Sequence, residues 1–167
     1  MVKSPTMLES KAWDVLQRVE DPEIPVISVV ELGIVREVLE VDGVLMVKIT
    51  PTYSGCPATQ VIEDSVIEAL RLAELEPFEV KTVLSPSWST DMISDSGRQK
   101  LKEYGIAPPA SESADKMALM GEERQISCPN CGSKDTKMVS QFGSTPCKAH
   151  FKCNDCLEPF DYFKCLK

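Results

Sequence analysis

The sequence predicts an α+β fold, a small three-stranded sheet with helices on one face, followed by a separate C-terminal β-hairpin lobe. Three observations predict it. Helical and alternating apolar periods succeed one another up to residue 106. A two-residue turn signal, Asp42-Gly43, joins two β-prone runs. Six of the seven cysteines fall within the last 40 of the 167 residues, where apolar periodicity is weakest.

The elements follow in order. Thr6 and Glu9 fit a capping box, and Leu8, Ala12, Val15, Leu16 and Val19 continue at helical spacing. Asp21-Pro22-Glu23-Ile24-Pro25 ends that helix, because proline has no N–H to donate and restricts the residue before it. Ile34–Val41 and Val44–Thr50 flank Asp42-Gly43 as hairpin strands, with Leu45, Val47 and Ile49 on one face. A second helix begins near Pro57 and buries Val61, Ile62, Val66, Ala69, Leu70 and Ala73. Phe78–Leu84 reads as the third strand. Ser96 with Gln99 reads as the cap of a short helix that stops at Gly105. The division expected from composition is a first domain over 1–106, a Pro-, Ser- and Glu-bearing linker over 107–124, and a small lobe over 125–167.

Composition narrows the function classes. Apolar residues at 43% and charged residues at 26% are globular values. The net charge of −8 argues against nucleic acid or an anionic membrane as partner. From Glu122 to Lys167 there are seven basic and six acidic residues, net +1, which leaves −9 on the remainder. No apolar run approaches the ~20 residues that span a bilayer, and the N-terminus lacks a signal-peptide core, so the expected location is cytoplasmic. The single histidine, His150, excludes most zinc-hydrolase, haem and carboxylate–histidine di-iron sites built from this chain alone.

In a reducing compartment, clustered cysteines read as metal ligands before disulfides. Cys128-Pro-Asn-Cys131 and Cys153-Asn-Asp-Cys156 are two C-x-x-C knuckles separated by 21 residues. Together they can supply a tetrahedral four-thiolate site, which suits structural zinc in a ribbon; an iron–sulfur cluster would use the same ligands. Lys137–Phe142 and Lys148–Lys152 are the expected ribbon strands. Phe142, Phe151, Phe160, Tyr162 and Phe163 are its expected core. Gly132 follows the first knuckle, where a left-handed residue is often needed, whereas Leu157 follows the second. Cys147 and Cys165 are left over, either as small buried apolar side chains or as additional ligands.

Cys56 stands alone in the first domain. It is expected at the N-cap of the second helix, with Pro57 at the first helical position. Aligned N–H groups there favour an anionic thiolate able to bind a soft metal; a chemically silent buried cysteine is the plain alternative. Asp21 and Glu23 flank a proline in what is by itself an ordinary turn. Trp88 reads as a packed anchor or an interaction residue. All three are candidate interaction positions.

Asp21-Pro-Glu-Ile-Pro25, Leu32-Gly-Ile-Val35, Thr50-Pro-Thr-Tyr-Ser-Gly-Cys56-Pro57 and Lys102-Glu-Tyr-Gly-Ile-Ala-Pro-Pro109 occur in that order. Together they resemble the metal–sulfur cluster biosynthesis family, whose members assist iron–sulfur protein maturation. The cysteine block from Cys128 to Cys165 narrows the resemblance to the PaaD (PaaJ) family, the D components encoded with bacterial phenylacetyl-CoA oxygenase (epoxidase) complexes. The resemblance implies an accessory, non-enzymatic role in aerobic phenylacetate degradation, assisting iron–sulfur cluster assembly. It implies Cys56 as the iron–sulfur contact, a transient cluster as cargo, and structural zinc in the ribbon. The implied partners are the oxygenase subunits, especially the iron–sulfur reductase, with no nucleic acid and no membrane; a second copy of the chain is a further candidate. The alternative is a non-catalytic structural subunit of the oxygenase.

Overall fold

In the computed structural model, residues 4–109 and 125–164 are described. The chain divides into two compact units, Met1–Trp88 and Ser89–Lys167.

The first unit runs α1 (Met7–Leu16), β1 (Val35–Val41), β2 (Val44–Ile49), α2 (Thr59–Leu72) and β3 (Phe78–Thr82). The capping box forms as expected: Thr6 accepts from the Glu9 N–H, and the Glu9 carboxylate accepts from the Thr6 N–H. The second Glu9 carboxylate oxygen accepts from the Glu40 N–H at 2.8 Å, so one buried carboxylate joins the start of α1 to β1. Asp42 and Gly43 both take positive φ, 51° and 79°, which is what a type I′ hairpin demands. β1 and β2 pair antiparallel, and β2 pairs parallel with β3 across the α2 crossover. Leu45, Val47 and Ile49 are buried as the alternation predicts. α2 buries Ile62, Val66 and Leu70, a narrower stripe than expected; Val61 and Ala73 face solvent because the three-stranded sheet covers only one side of the helix.

Between α1 and β1 the chain folds on itself. Asp21 is buried, and its Oδ1 accepts from the N–H groups of Glu23 and Ile24, both at 2.9 Å. Ser28 and Glu31 exchange side-chain-to-backbone hydrogen bonds in a second capped turn. Trp88 is buried and donates its Nε1–H to the Leu32 carbonyl at 2.9 Å.

The second unit runs α3 (Asp95–Glu103), β4 (Ile106–Ala107), β5 (Thr136–Ser140), β6 (Lys148–Cys153) and β7 (Pro159–Phe163). The cap of α3 is Ser94, which accepts from the Gly97 N–H, rather than Ser96. Either serine has the right side chain; extended backbone at residue 94, with ψ 159°, selects the cap. Gly105 ends the helix at φ 87° as predicted. Arg98 donates to the carbonyls of Thr90 and Pro109, holding the flanks of α3 together.

The ribbon hairpin β5–β6 belongs to a four-stranded sheet in the order β4-β7-β6-β5. Phe160, Tyr162 and Phe163 lie on β7, a strand that their sequence pattern does not mark. β4 lies parallel to β7, with Ile106 opposite Asp161 and Ala107 opposite Tyr162. Ile106 and Ala107 thereby complete the ribbon sheet, and the compact unit that contains them begins upstream of the composition change. Ala107, Ile126, Ala149, Phe151, Phe160 and Tyr162 pack with Cys128 and Cys153 as one cluster. Phe142 does not join it; the residue is 59% exposed beyond the end of β5.

Glu9→Ala should remove the capping box and leave the Glu40 N–H without its acceptor. Urea unfolding followed by helical circular dichroism should show a loss of about 2 kcal/mol.

Candidate metal centre and the Cys56 turn

The two C-x-x-C knuckles are built by backbone hydrogen bonds. The Cys128 N–H donates to the Ser133 carbonyl at 2.8 Å, and the Cys153 N–H to the Glu158 carbonyl at 3.0 Å. Each knuckle closes through a left-handed residue, Gly132 at φ 78° and Leu157 at φ 64°. Cys153 ends β6 opposite Thr136 of β5, while the second knuckle leads into β7. The sheet thereby brings the knuckles face to face.

The sulfurs of Cys128, Cys131, Cys153 and Cys156 lie within 4.8 Å of one another. Cys128 and Cys156 stand 3.7 Å apart, and Cys131 and Cys153 3.6 Å. A metal–sulfur bond of about 2.3 Å gives a tetrahedron with edges of about 3.8 Å, whereas a disulfide needs about 2.0 Å. The gathered thiols therefore fit a tetrahedral divalent ion and not a bridge. Cys128 and Cys153 are buried, Cys156 is partly covered, and Cys131 is exposed.

Local electrostatics suit the same reading. Backbone N–H groups of Cys156 and Asp155 point at the Cys153 sulfur and, against the opposing effect of burial, bring its thiol down to about 7. The Glu158 N–H draws the Cys156 thiol down, but burial and the crowding sulfurs outweigh it and push it up to about 12. The Ser133 N–H acts likewise at Cys131, where burial and the neighbouring sulfurs leave the thiol raised. Four thiolates this close repel one another unless a cation sits among them, and N–H groups aimed at sulfur favour the ligating form.

Cys147 is buried elsewhere in the ribbon, with its sulfur 3.1 Å from the Thr145 hydroxyl, and is not part of the four-sulfur group. Cys165 lies outside the described residues.

Cys56 sits in a turn that precedes α2. The Cys56 N–H donates to the Tyr53 carbonyl, and the Cys56 carbonyl accepts from the Thr59 N–H, while Gly55 takes φ 84°. The helix starts at Thr59 with Ala58 as a cap that offers no side-chain hydrogen bond. Cys56 is therefore not the N-cap expected of it but lies two residues upstream of the observed cap, Ala58, because the Cys56–Thr59 turn intervenes before regular helix begins. The residue is half-buried. Thr50, which opens this loop, is buried, and its Oγ1 has no hydrogen-bond partner among the described residues. Of the remaining candidate positions, Asp21 and Trp88 point into the fold and Glu23 is half-exposed.

Sequence reasoning missed the backbone N–H groups around the sulfurs, the Glu9 link to β1 and the placement of Phe142. Only the first had a signal, in the knuckle spacing itself.

Comparison with known proteins also divides the chain in two. Residues 9–85 match a family described as iron–sulfur cluster assembly protein, and residues 112–164 a family described as PaaD zinc beta ribbon domain. The chain is 44% identical over 154 residues, 92% of its length and 91% of the relative's, to an Escherichia coli K12 protein named as the D component of a "Putative 1,2-phenylacetyl-CoA epoxidase". It is 37% identical over 89 residues, 52% of its length and 86% of the relative's, to the Bacillus subtilis 168 Fe-S protein maturation auxiliary factor YitW. A crystal structure of a DUF59 domain from Bacillus anthracis superposes with a TM-score of 0.52 at 30% identity, covering 56% of this chain and 91% of that one.

Two predictions test the metal centre. Cys128→Ser should abolish metal retention and unfold the ribbon while the first unit stays helical, read by metal analysis and limited proteolysis. Leu157 is 65% exposed in a left-handed conformation that a leucine resists. Leu157→Gly should therefore stabilise the metal-loaded ribbon by about 1 kcal/mol, measured by thermal unfolding.

Proposed function

The chain belongs to the PaaD family, the D components of phenylacetyl-CoA epoxidase systems, and on that premise we propose that it is a maturation factor for the oxygenase's iron–sulfur reductase. The reading is supported by an iron–sulfur assembly domain over residues 9–85 and by a relative named as an Fe-S protein maturation auxiliary factor. The observation that carries it is Cys56, a half-buried cysteine on a turn of that domain.

The cluster, or its iron, is cargo. One protein thiolate is too few to hold a cluster permanently, so Cys56 would act as a transient soft ligand. The cargo leaves by exchanging the Cys56 sulfur for thiolates of the client, with no change in oxidation state required. The Tyr53–Cys56 and Cys56–Thr59 hydrogen bonds hold the turn that presents the sulfur. Buried Asp21 is one loop support of this unit, through its two backbone N–H partners, rather than a surface contact.

The ribbon is the docking module, and zinc is the metal that best suits its four sulfurs. Cys128 and Cys131 would hold it from one knuckle, and Cys153 and Cys156 from the other. When bound, zinc supplies cross-linking and charge neutralisation, contributing about 10–16 kcal/mol toward folding in small domains of this kind. The second reading, a stoichiometric structural component, is favoured by the name of the E. coli relative. Co-purification separates the two, since a structural component stays with the mature oxygenase.

Cys56→Ser should leave thermal stability within about 0.5 kcal/mol of wild type, because a half-buried side chain is replaced by one of similar size. With the mutant as sole copy, cluster content of the purified reductase and phenylacetyl-CoA turnover in cells should both fall severalfold. Wild-type values for both would overturn the maturation reading.

A further inference from the structure

The outer strand of the ribbon carries features that the metal centre does not use. Among the described residues, β5 has a neighbour on one side only, so backbone N–H and C=O groups along it face an open edge, with a register shift between Met138 and Ser140. Met138, Val139 and Phe142 are 57%, 58% and 59% exposed. Lysine and a bulge on β5 oppose pairing with another β5, yet the edge also keeps large apolar side chains exposed, the kind of patch that marks interaction sites.

Phe142 is not loosely exposed. Its N–H donates to the Ser140 Oγ, and the Ser140 hydroxyl donates to its carbonyl at 2.7 Å. Buried Lys164 places its ammonium 4.2 Å from the ring centroid and donates to the Gln141 carbonyl. One face of the ring thus rests on a fixed cation. An aromatic held in place before binding loses little entropy when a partner covers it, and such residues anchor interfaces.

Charge selects the kind of partner. Lys137 of β5 lies directly across from Lys152 of β6, and both are exposed. Like charges at paired positions are destabilising. Neither lysine makes an ion pair among the described residues. Exposed Lys134 lies just before the strand. The same cations oppose edge-to-edge pairing with a second β5. The rest of the chain is net −9, whereas the β5 edge groups exposed Lys134, Lys137 and Lys152, with Asp135 as the carboxylate next to Lys134, so the favourable place for an acidic partner is this edge rather than the ribbon as a whole.

We propose that β5 and Phe142 form the docking strip for an extended segment of a client protein that alternates acidic and apolar residues. The acidic groups meet Lys137, Lys152 and Lys134, and the apolar groups cover Met138, Val139 and Phe142. The proposal deepens the docking role given to the ribbon above and rests on that reading.

The test uses the full metal-loaded chain, isotopically labelled, and a ten-residue synthetic peptide of alternating Glu and Val. Nuclear magnetic resonance titration should move the amides of Thr136–Phe142, with affinity falling about tenfold as salt is raised from low to physiological strength. Lys137→Glu with Lys152→Glu should weaken binding about tenfold or more, and Phe142→Ala similarly, with metal content unchanged. The proposal is overturned by no binding up to about 1 mM peptide, by unchanged affinity in either variant, or by shifts confined to other residues. It is equally overturned if an alternating Lys and Val peptide binds as well. A ten-residue oligothymidine binding the same amides would overturn it in favour of a nucleic-acid surface. Concentration-dependent shifts there without peptide would overturn it in favour of a contact between copies. If peptide binding fails while Cys56→Ser still lowers reductase cluster content, only the docking strip falls. If the peptide binds as expected while Cys56→Ser has no effect, the maturation reading falls and the acidic-segment surface stands.

Discussion

Four sulfurs within 4.8 Å of one another are the constraint on which the second unit depends. At separations of 3.6–3.7 Å, the thiols cannot all ionise without a cation between them. The surrounding N–H groups nevertheless favour ionised sulfur at Cys153. That tension resolves when a divalent ion joins the knuckles. The local cost is a leucine in left-handed backbone. Around the sulfurs the apolar cluster is modest, Phe151, Phe160 and Tyr162 with a few smaller side chains. A lobe with so little apolar material would gain much of its folding free energy from a metal bound at these four sulfurs.

The first unit solves a different problem. Its carboxylates at residues 9 and 21 turn inward and satisfy backbone N–H groups that no regular element pairs. Buried backbone donors are costly when unmet, so these side chains are structural before they are anything else. The Cys56 thiol is not used in this way. The residue stands half-buried on its turn, between a β-strand and a helix that fix the loop at both ends. That placement, on a turn held at both ends, is what the maturation reading proposed above rests on.

Packing within the second unit reaches upstream of the cysteine-bearing segment. Residues 106 and 107 extend the ribbon sheet beside β7, and Arg98 clamps the carbonyls of Thr90 and Pro109 around α3. The metal-binding unit therefore includes a helix and a strand that precede the cysteine-bearing segment. The ribbon's other border, β5, is open among the described residues and is cationic and apolar together, which separates a metal end from a contact edge within one sheet.

Features that depend only on local spacing were legible before the fold was known. The capping box at Thr6, the turn at Asp42-Gly43, the alternation of Leu45, Val47 and Ile49, and each C-x-x-C knuckle involve residues a few positions apart, whose geometry the backbone dictates. Features that depend on distant neighbours needed the assembled fold. It chose Ser94 over Ser96, because backbone direction rather than side-chain type selects a cap. It made Phe160, Tyr162 and Phe163 part of a strand by laying Pro159–Phe163 between β4 and β6. It moved Cys56 off the helix cap by inserting a turn, and it left Phe142 outside the core on the Lys164 ammonium. Each of these outcomes turns on which backbone groups and side chains meet across the fold, and one-dimensional periodicity carries no record of those meetings.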